Sequence, residues 1–365
     1  MIKVKDIIGH LESIAPLAYQ EDYDNSGLIT GNKEMILTGA LICLDSTEEV
    51  LDEAIRLKCN LVIAHHPIVF SGLKKINGSN YVERVIIKAI RNDIAIYAAH
   101  TNLDNVMGGV NSKIAEKLGL KNTSILSPKA ELLKKLVTFC PVNKAEEVRQ
   151  ALFAAGAGRI ANYDECSFNA EGTGTFRAGD TANPYVGKKG KQHREKEIRI
   201  EVIFPAVIES SLIAALLKAH PYEEVAHDII PLDNAYRQVG SGIIGELSKG
   251  QEPLKFLEFL KKKMRTESIR YTRPLDKKLQ KVAVCGGSGS FLLKEAIAAG
   301  ADIFISSDYK YHQFFDADGK LMIADIGHYE SEQFTKELFY DLLKGKFPTF
   351  ALRLSKINTN PVNYL

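Results

Sequence analysis

Apolar residues run unbroken from Ala40 to Leu44, give way to Asp45-Ser46-Thr47, recur at helical spacing through Val50, Leu51, Ala54 and Ile55, and run unbroken again from Leu61 to Ala64. A short continuous apolar run suits a strand buried on both faces, and Ser or Thr ahead of a 3.6-residue pattern marks a helix start. Residues 39–66 are therefore predicted as strand, helix, strand: a βαβ unit with a parallel sheet. Residues 281–308 have the same layout. Shifted by 242 positions, Cys43 falls on Cys285, Ser46 on Ser288, Leu51 on Leu293, Glu53-Ala54-Ile55 on Glu295-Ala296-Ile297, and Ile63 on Ile305. That agreement in phase predicts an internal duplication. Each half has a third apolar strand, 93–99 and 320–326, ending near a histidine. His100 and Asp104, and likewise His328 and Glu332, stand at i, i+4, which stacks two side chains on one face of a helical turn.

Between the halves, residues 126–245 follow a different pattern. LLKKLVTFCPV is a strand, NKAEEVRQALFAAGA a helix, ANYDECSF and GTGTFRAG a further strand with a Gly-rich turn, and EIRIEVIFP a strand by strict alternation. AVIESSLIAALLKAH is a second helix, and after the turn HPYEE comes a last strand, VAHDIIPL. Short strands with two helices in this order predict an inserted α+β ferredoxin-like sandwich. The basic stretch through Lys188, Lys189, Lys191, Arg194 and Lys196 reads as a solvated hairpin or loop. The expected organisation is a three-layer α/β main domain of two related halves, 1–125 plus 246–365, with parallel-rich sheets, interrupted by the insert at 126–245.

The chain has 365 residues, more than one hydrophobic core usually serves, which agrees with more than one domain. Hydrophobic residues make up 45% and charged residues 25%, as in a globular protein, and 47 basic against 45 acidic residues leave no global pull toward nucleic acid or an anionic surface. Cys43, Cys59, Cys140, Cys166 and Cys285 include no C-x-x-C pair and sit mostly in apolar runs, so they are read as reduced core thiols. The first residues carry charges throughout, and no uncharged run reaches a membrane span. The expected location is cytoplasmic, with no membrane partner and no nucleic-acid partner.

The metal-capable side chains cluster just after the carboxyl ends of predicted parallel strands, where open α/β sheets bind ligands. His65-His66 follow LVIA, His100 and Asp104 follow DIAIYAA, and His328 and Glu332 follow LMIADI. Imidazole and carboxylate suit zinc, manganese, iron, cobalt and nickel. Adjacent histidines at a strand end point to opposite sides of the backbone and so serve two ions more easily than one. His312 also follows an apolar strand, near Asp308, whereas His10, His193, His220 and His227 have no such placement. The turn CGGSGS, with Gly286, Gly287 and Ser288, lies between strand and helix and is either a tight turn or an anion cradle for substrate.

Asp24-Asn25-Ser26-Gly27-Leu28, AHHP at 64–67, HTNLDN at 100–105, SDYKYH at 307–312 and GHYESE at 327–332 together resemble the dinuclear metal-centre proteins of the YbgI and YqfO type, often labelled GTP cyclohydrolase 1 type 2 homologues. The middle block, with AGAGRIANYDECSF, GTGTF and HPYEE, resembles the CutA-like or PII-like insert of the longer members. This resemblance implies two divalent ions, zinc foremost, held by His65, His66, Asp104, His328 and Glu332. It assigns His66 and Asp104 to one ion, His65 and His328 to the other, and Glu332 to both. His100 and His312 then fall outside the ligand set, where an imidazole orients a carboxylate or moves a proton. The resemblance also implies a toroidal homohexamer. Two ions with open positions make hydrolysis the default chemistry, on a small-molecule substrate that the family label suggests is a nucleotide. The alternative is a non-catalytic metal-binding or regulatory, partner-binding assembly.

Overall fold

The computed structural model describes residues 1–365, which divide into two compact units: Met1–Pro128 with Gln238–Leu365, and Lys129–Arg237. The first unit contains two mixed sheets. In one, Ala40–Cys43, Leu61–Ala64 and Ala95–Ala98 run parallel, with Ala40 beside Leu61 and Leu61 beside Ala95. Gly27–Thr30 closes one edge antiparallel, and Leu352–Leu354 lies parallel to Ala40–Cys43 on the other. In the second sheet, Leu279–Ser288, Ile303–Ser307 and Met322–Asp325 are the parallel centre. Arg270–Tyr271 and Tyr236–Gln251 flank it antiparallel, and Lys121–Lys129 is the outer edge. The two parallel triplets are the duplicated elements.

Every residue of Ala40–Cys43, Leu61–Ala64 and Ala95–Ala98 is buried, as continuous apolar strands covered on both faces must be. Leu41, Val62 and Ile96 face helices Glu48–Arg56 and Tyr81–Arg91 in one cluster, through Val50, Leu51, Ala54, Val85 and Ala89. The alternate residues Ala40, Ile42, Leu61, Ile63 and Tyr97 are fully buried on the opposite face. Both helices start as their sequence suggests: Thr47 Oγ1 accepts from the Val50 N–H and Asn80 from the Glu83 N–H.

Two features depart from the expected organisation. Residues 236–251 form one long strand of the second sheet, so the insert ends at Arg237 rather than at 245 and begins at Lys129 rather than at 126. The halves also exchange chain. Leu352–Leu354, from the end of the second half, completes the first sheet, and Glu53, buried on helix Glu48–Arg56, accepts from the Ser355 hydroxyl at 2.6 Å.

The Lys129–Arg237 unit has the order strand Leu133–Pro141, helix Ala145–Ala154, strands Phe168–Arg177 and Gln192–Pro205, helix Glu209–Ala219, strand His227–Leu232. Its antiparallel sheet has the spatial order 168–177, 192–205, 133–141, 227–232, the ferredoxin-like arrangement. GTGTF lies inside strand Phe168–Arg177, not in a turn. No helix of the protein is long and apolar enough to cross a membrane.

Candidate metal centre

The strand ends of both sheets bring five side chains together. Leu61–Ala64 delivers His65 and His66, whose N–H groups both donate to the Leu44 carbonyl at 3.1 and 3.0 Å. Ala95–Ala98 leads through His100 into the short helix Thr101–Asp104, and Met322–Asp325 leads into helix His328–Glu332. Glu332 stands at the centre, 2% exposed. Its Oε2 is 3.0 Å from His66 Nε2 and 3.2 Å from His328 Nε2, and its Oε1 is 3.7 Å from His65 Nε2. Asp104 Oδ1 is also 3.7 Å from His65 Nε2. Two trios with all ligand atoms within 4.8 Å result: His65, Asp104, Glu332, and His66, His328, Glu332.

Glu332 thus serves both trios, but the partition differs from the one the resemblance implied. His65 stands with Asp104 and His66 with His328: the two rings lie side by side, 4.9 Å apart between centroids, and meet different oxygens of Glu332. His100 lies closer than expected. Its ring centroid is 5.2 Å from that of His65 and 5.3 Å from that of His66, and the three histidines form a third group of possible ligands.

Each imidazole is aimed by a second partner. His65 Nδ1 donates to the Ala99 carbonyl at 2.9 Å, which leaves the Nε2 lone pair facing the carboxylates. His66 Nδ1 pairs with Asp45 at 2.7 Å, His328 Nδ1 with Asp308 at 2.6 Å and His100 Nδ1 with Asp24 at 2.9 Å. Asp24 also accepts from the Thr101 N–H and hydroxyl and the Ser26 hydroxyl. Such partners fix tautomer and ring orientation in metal sites. Asp308 adopts φ +60, a left-handed backbone that Asp tolerates better than most residues with a side chain.

The electrostatics are those of buried imidazoles and carboxylates that shift one another. Burial disfavours charge on His66, yet hydrogen bonds to Asp45 and Glu332 outweigh it and raise the imidazole to about 10. For His328, burial is again outweighed, by the Glu332 charge and the Asp308 hydrogen bond, and the value rises to about 11. Burial lowers His65. Burial and the Glu332 charge push Asp104 well up, whereas the imidazoles of His328 and His65 hold Glu332 low against its burial. His65 Nε2 and Asp104 Oδ1 are buried with no hydrogen-bond partner. A separation of 3.7 Å is too long for a hydrogen bond. It fits two donors that each reach about 2.0–2.2 Å to one ion between them. The donor set and these orphaned atoms therefore suit divalent metal.

CGGSGS serves this centre differently from an anion cradle. The strand continues to Ser288, the Gly286 N–H donates to Asn111 Oδ1 at 2.8 Å and the Gly287 N–H to Ser331 Oγ at 2.9 Å, so neither amide is free for substrate. What the glycines supply is room. Gly287 has φ +61, and a Cβ there would lie 2.5 Å from Glu332 Oε1 and 3.3 Å from His328 Nε2. Gly287→Ala is accordingly expected to displace Glu332 and to strip bound metal, with a backbone cost of about 1–2 kcal/mol that leaves the fold intact. Metal content by mass spectrometry beside a far-ultraviolet spectrum checks this; undiminished metal contradicts it.

His312 is not part of the cluster. It is exposed on the turn Tyr311–Ala317 and packs with Tyr311 and Phe315. Asp45, in sequence part of the Asp45-Ser46-Thr47 helix cap, instead follows a parallel strand, Ala40–Cys43, and holds His66, while Thr47 makes the cap bond. Beside the centre, a cavity of 520 Å³ is lined by His66, His328, Arg270, Tyr329, Asn360 and Tyr364 among others.

The sequence model of the DUF34/NIF3 (NGG1p interacting factor 3) family matches residues 2–361. A Halalkalibacterium halodurans protein named GTP cyclohydrolase 1 type 2 homolog is 39% identical over 98% of both chains, and its Bacillus subtilis namesake is 38% identical over 99% of this chain and 98% of its own. The crystal structure of a Bacillus cereus protein related to NIF3 superposes with a TM-score of 0.87 at 41% identity, covering 100% of this chain and 99% of that one. With matches of this extent and identity, the chain belongs to the DUF34/NIF3 family.

Proposed function

We propose that this protein is a hydrolase dependent on two divalent metal ions, acting on a small molecule admitted by the 520 Å³ cavity. The observation that carries the reading is Glu332, one buried carboxylate whose two oxygens face separate groups of nitrogen ligands. Divalent cations there supply Lewis acidity and bring the pKa of water toward neutrality. Zinc is the foremost candidate, with manganese, iron, cobalt and nickel suited to the same donors.

The chain's own residues prepare that chemistry. Asp45, Asp308 and the Ala99 carbonyl hold the ligand imidazoles in one tautomer. His100, anchored by Asp24 beside His65 and His66, is placed to take or return a proton at the ring nitrogen not bonded to Asp24. Arg270, Tyr329 and Tyr364 offer the incoming molecule polar contacts on the cavity wall. The relatives' name supports a guanine nucleotide as the first substrate to try. A toroidal homohexamer belongs to the same proposal, and light scattering that finds a monomer at micromolar concentration would remove it.

The test is metal-loaded protein, with zinc, manganese, iron or cobalt, screened against GTP, phosphodiesters and cyclic amides. Turnover abolished by His66→Ala and by Glu332→Ala is the expected result. Silence across all metals and substrates would favour the second reading, a metal-holding regulatory assembly, for which the compact inserted Lys129–Arg237 unit speaks.

A further inference from the structure

Two motifs have no part in the metal centre: GTGTF at 172–176 and HPYEE at 220–224. Within the Lys129–Arg237 unit they converge on one carboxylate. Leu136, Cys140, Ile200 and Val202 pack on one sheet face against Val148, Leu152, Leu212 and Leu216 of the two helices. By alternation, Phe139, Glu197, Arg199, Gly172, Gly174 and Phe176 lie on the other face. There a pocket of 660 Å³ opens.

Glycine makes the pocket possible. Gly172 stands opposite Glu197 across the hairpin, and a Cβ on Gly174 would collide with the Glu197 carboxylate. Glu197 is 8% exposed. Its Oε1 accepts from the Tyr222 hydroxyl at 2.8 Å, its Oε2 accepts nothing, and no Lys or Arg pairs with it. Arg199, also at the pocket, is engaged by Glu201 at 2.9 Å. His220 steadies the turn: its Nε2 donates to the Phe139 carbonyl at 3.0 Å and its Nδ1 accepts from the Tyr222 N–H at 3.1 Å. The Tyr222 ring is 6.2 Å from both Phe176 and Tyr185, so three aromatic side chains stand around the carboxylate.

A buried carboxylate without a cation is costly, and aromatic faces attract organic cations. We propose that this pocket binds an organic ammonium ion, its N–H groups on Glu197 Oε2 and its apolar body against Phe176, Tyr185 and Tyr222. Glu223 and Glu224 on the same lining add negative charge, while Arg177 alternates away from the Glu197 side of its strand. The proposal is independent of the metal centre.

Saturation-transfer NMR and calorimetry on the full chain test it with three probes of one shape: 2-phenylethylammonium, 2-phenylethanol and 3-phenylpropionate. The ammonium is expected to bind at least about tenfold more tightly than the alcohol, and the carboxylate not at all, as charge-assisted bonding and cation–π attraction require. Glu197→Gln, which keeps an oxygen for Tyr222, is expected to abolish the preference for ammonium over alcohol while leaving metal content unchanged. Should that variant fail to fold, the wild-type comparison still decides. Equal binding of the three probes, or none, overturns the proposal. So does loss of assembly in Glu197→Gln without probe binding, which would make this face a contact between copies of the chain.

Discussion

Glu332→Gln is expected to empty both metal positions. The amide has the shape of the carboxylate but neither its charge nor its second anionic oxygen, and it stands against His65 on one side and His66 and His328 on the other. Residues that merely orient ligands cost metal sites about 10–100-fold in affinity, so a group shared by both ions should cost at least about a hundredfold at each. His65→Ala makes the contrast, since His65 belongs to the trio with Asp104 and not to the one with His328. It should remove one ion per chain and spare the other. Elemental analysis of dialysed protein reads both results. Full metal content in Glu332→Gln, or equal losses in the two variants, contradicts the shared carboxylate.

The second large effect is the pH dependence of metal uptake. In the metal-free protein His66 and His328 titrate near 10 and 11, above the 6.5 of an unperturbed imidazole. At neutral pH both are protonated, and a metal must displace those protons. Adding zinc at pH 7.5 should release about two protons per chain, and more where Asp104, held up by burial and by Glu332, also gives one up. Apparent affinity should climb by about a hundredfold per pH unit between about pH 7 and 9. The metal-free fold behaves in the opposite sense. Folded values raised above 6.5 mean that these imidazoles stabilise it fully below about pH 6.5, and that this contribution fades as pH rises toward 10 and 11. Calorimetry in two buffers of different ionisation enthalpy counts the protons; no release, with affinity flat over that range, contradicts the account.

Much of the centre was legible because strand ends concentrate chemistry. Unbroken apolar runs locate Leu61–Ala64, Ala95–Ala98 and Met322–Asp325, and whatever follows their carboxyl ends shares one rim. His65, His66, Asp104, His328 and Glu332 follow from that rule together with the family resemblance. Alternation predicts opposite sides for His65 and His66, yet their rings lie 4.9 Å apart, because both N–H groups turn onto the Leu44 carbonyl at the strand end. Nor can alternation place Asp104, whose position depends on contacts between segments far apart in the chain. His312 satisfied the same pattern and yet turned outward with Tyr311 and Phe315. In sequence Gly287 fits either a tight turn or an anion cradle. Its purpose, space for Glu332, appears only once two remote segments meet. Leu352–Leu354 escaped for a similar reason: a three-residue strand in the first sheet has no local signal strong enough to separate it from a loop.

Anomalous diffraction at the metal absorption edge, on crystals of protein purified without an affinity tag, tests the central claim most directly. Two peaks about 3.5–4 Å apart, with the Glu332 carboxylate between them, are the expected result. One peak bound by His65, His66 and His100 without Glu332, or no peak at all, would contradict it.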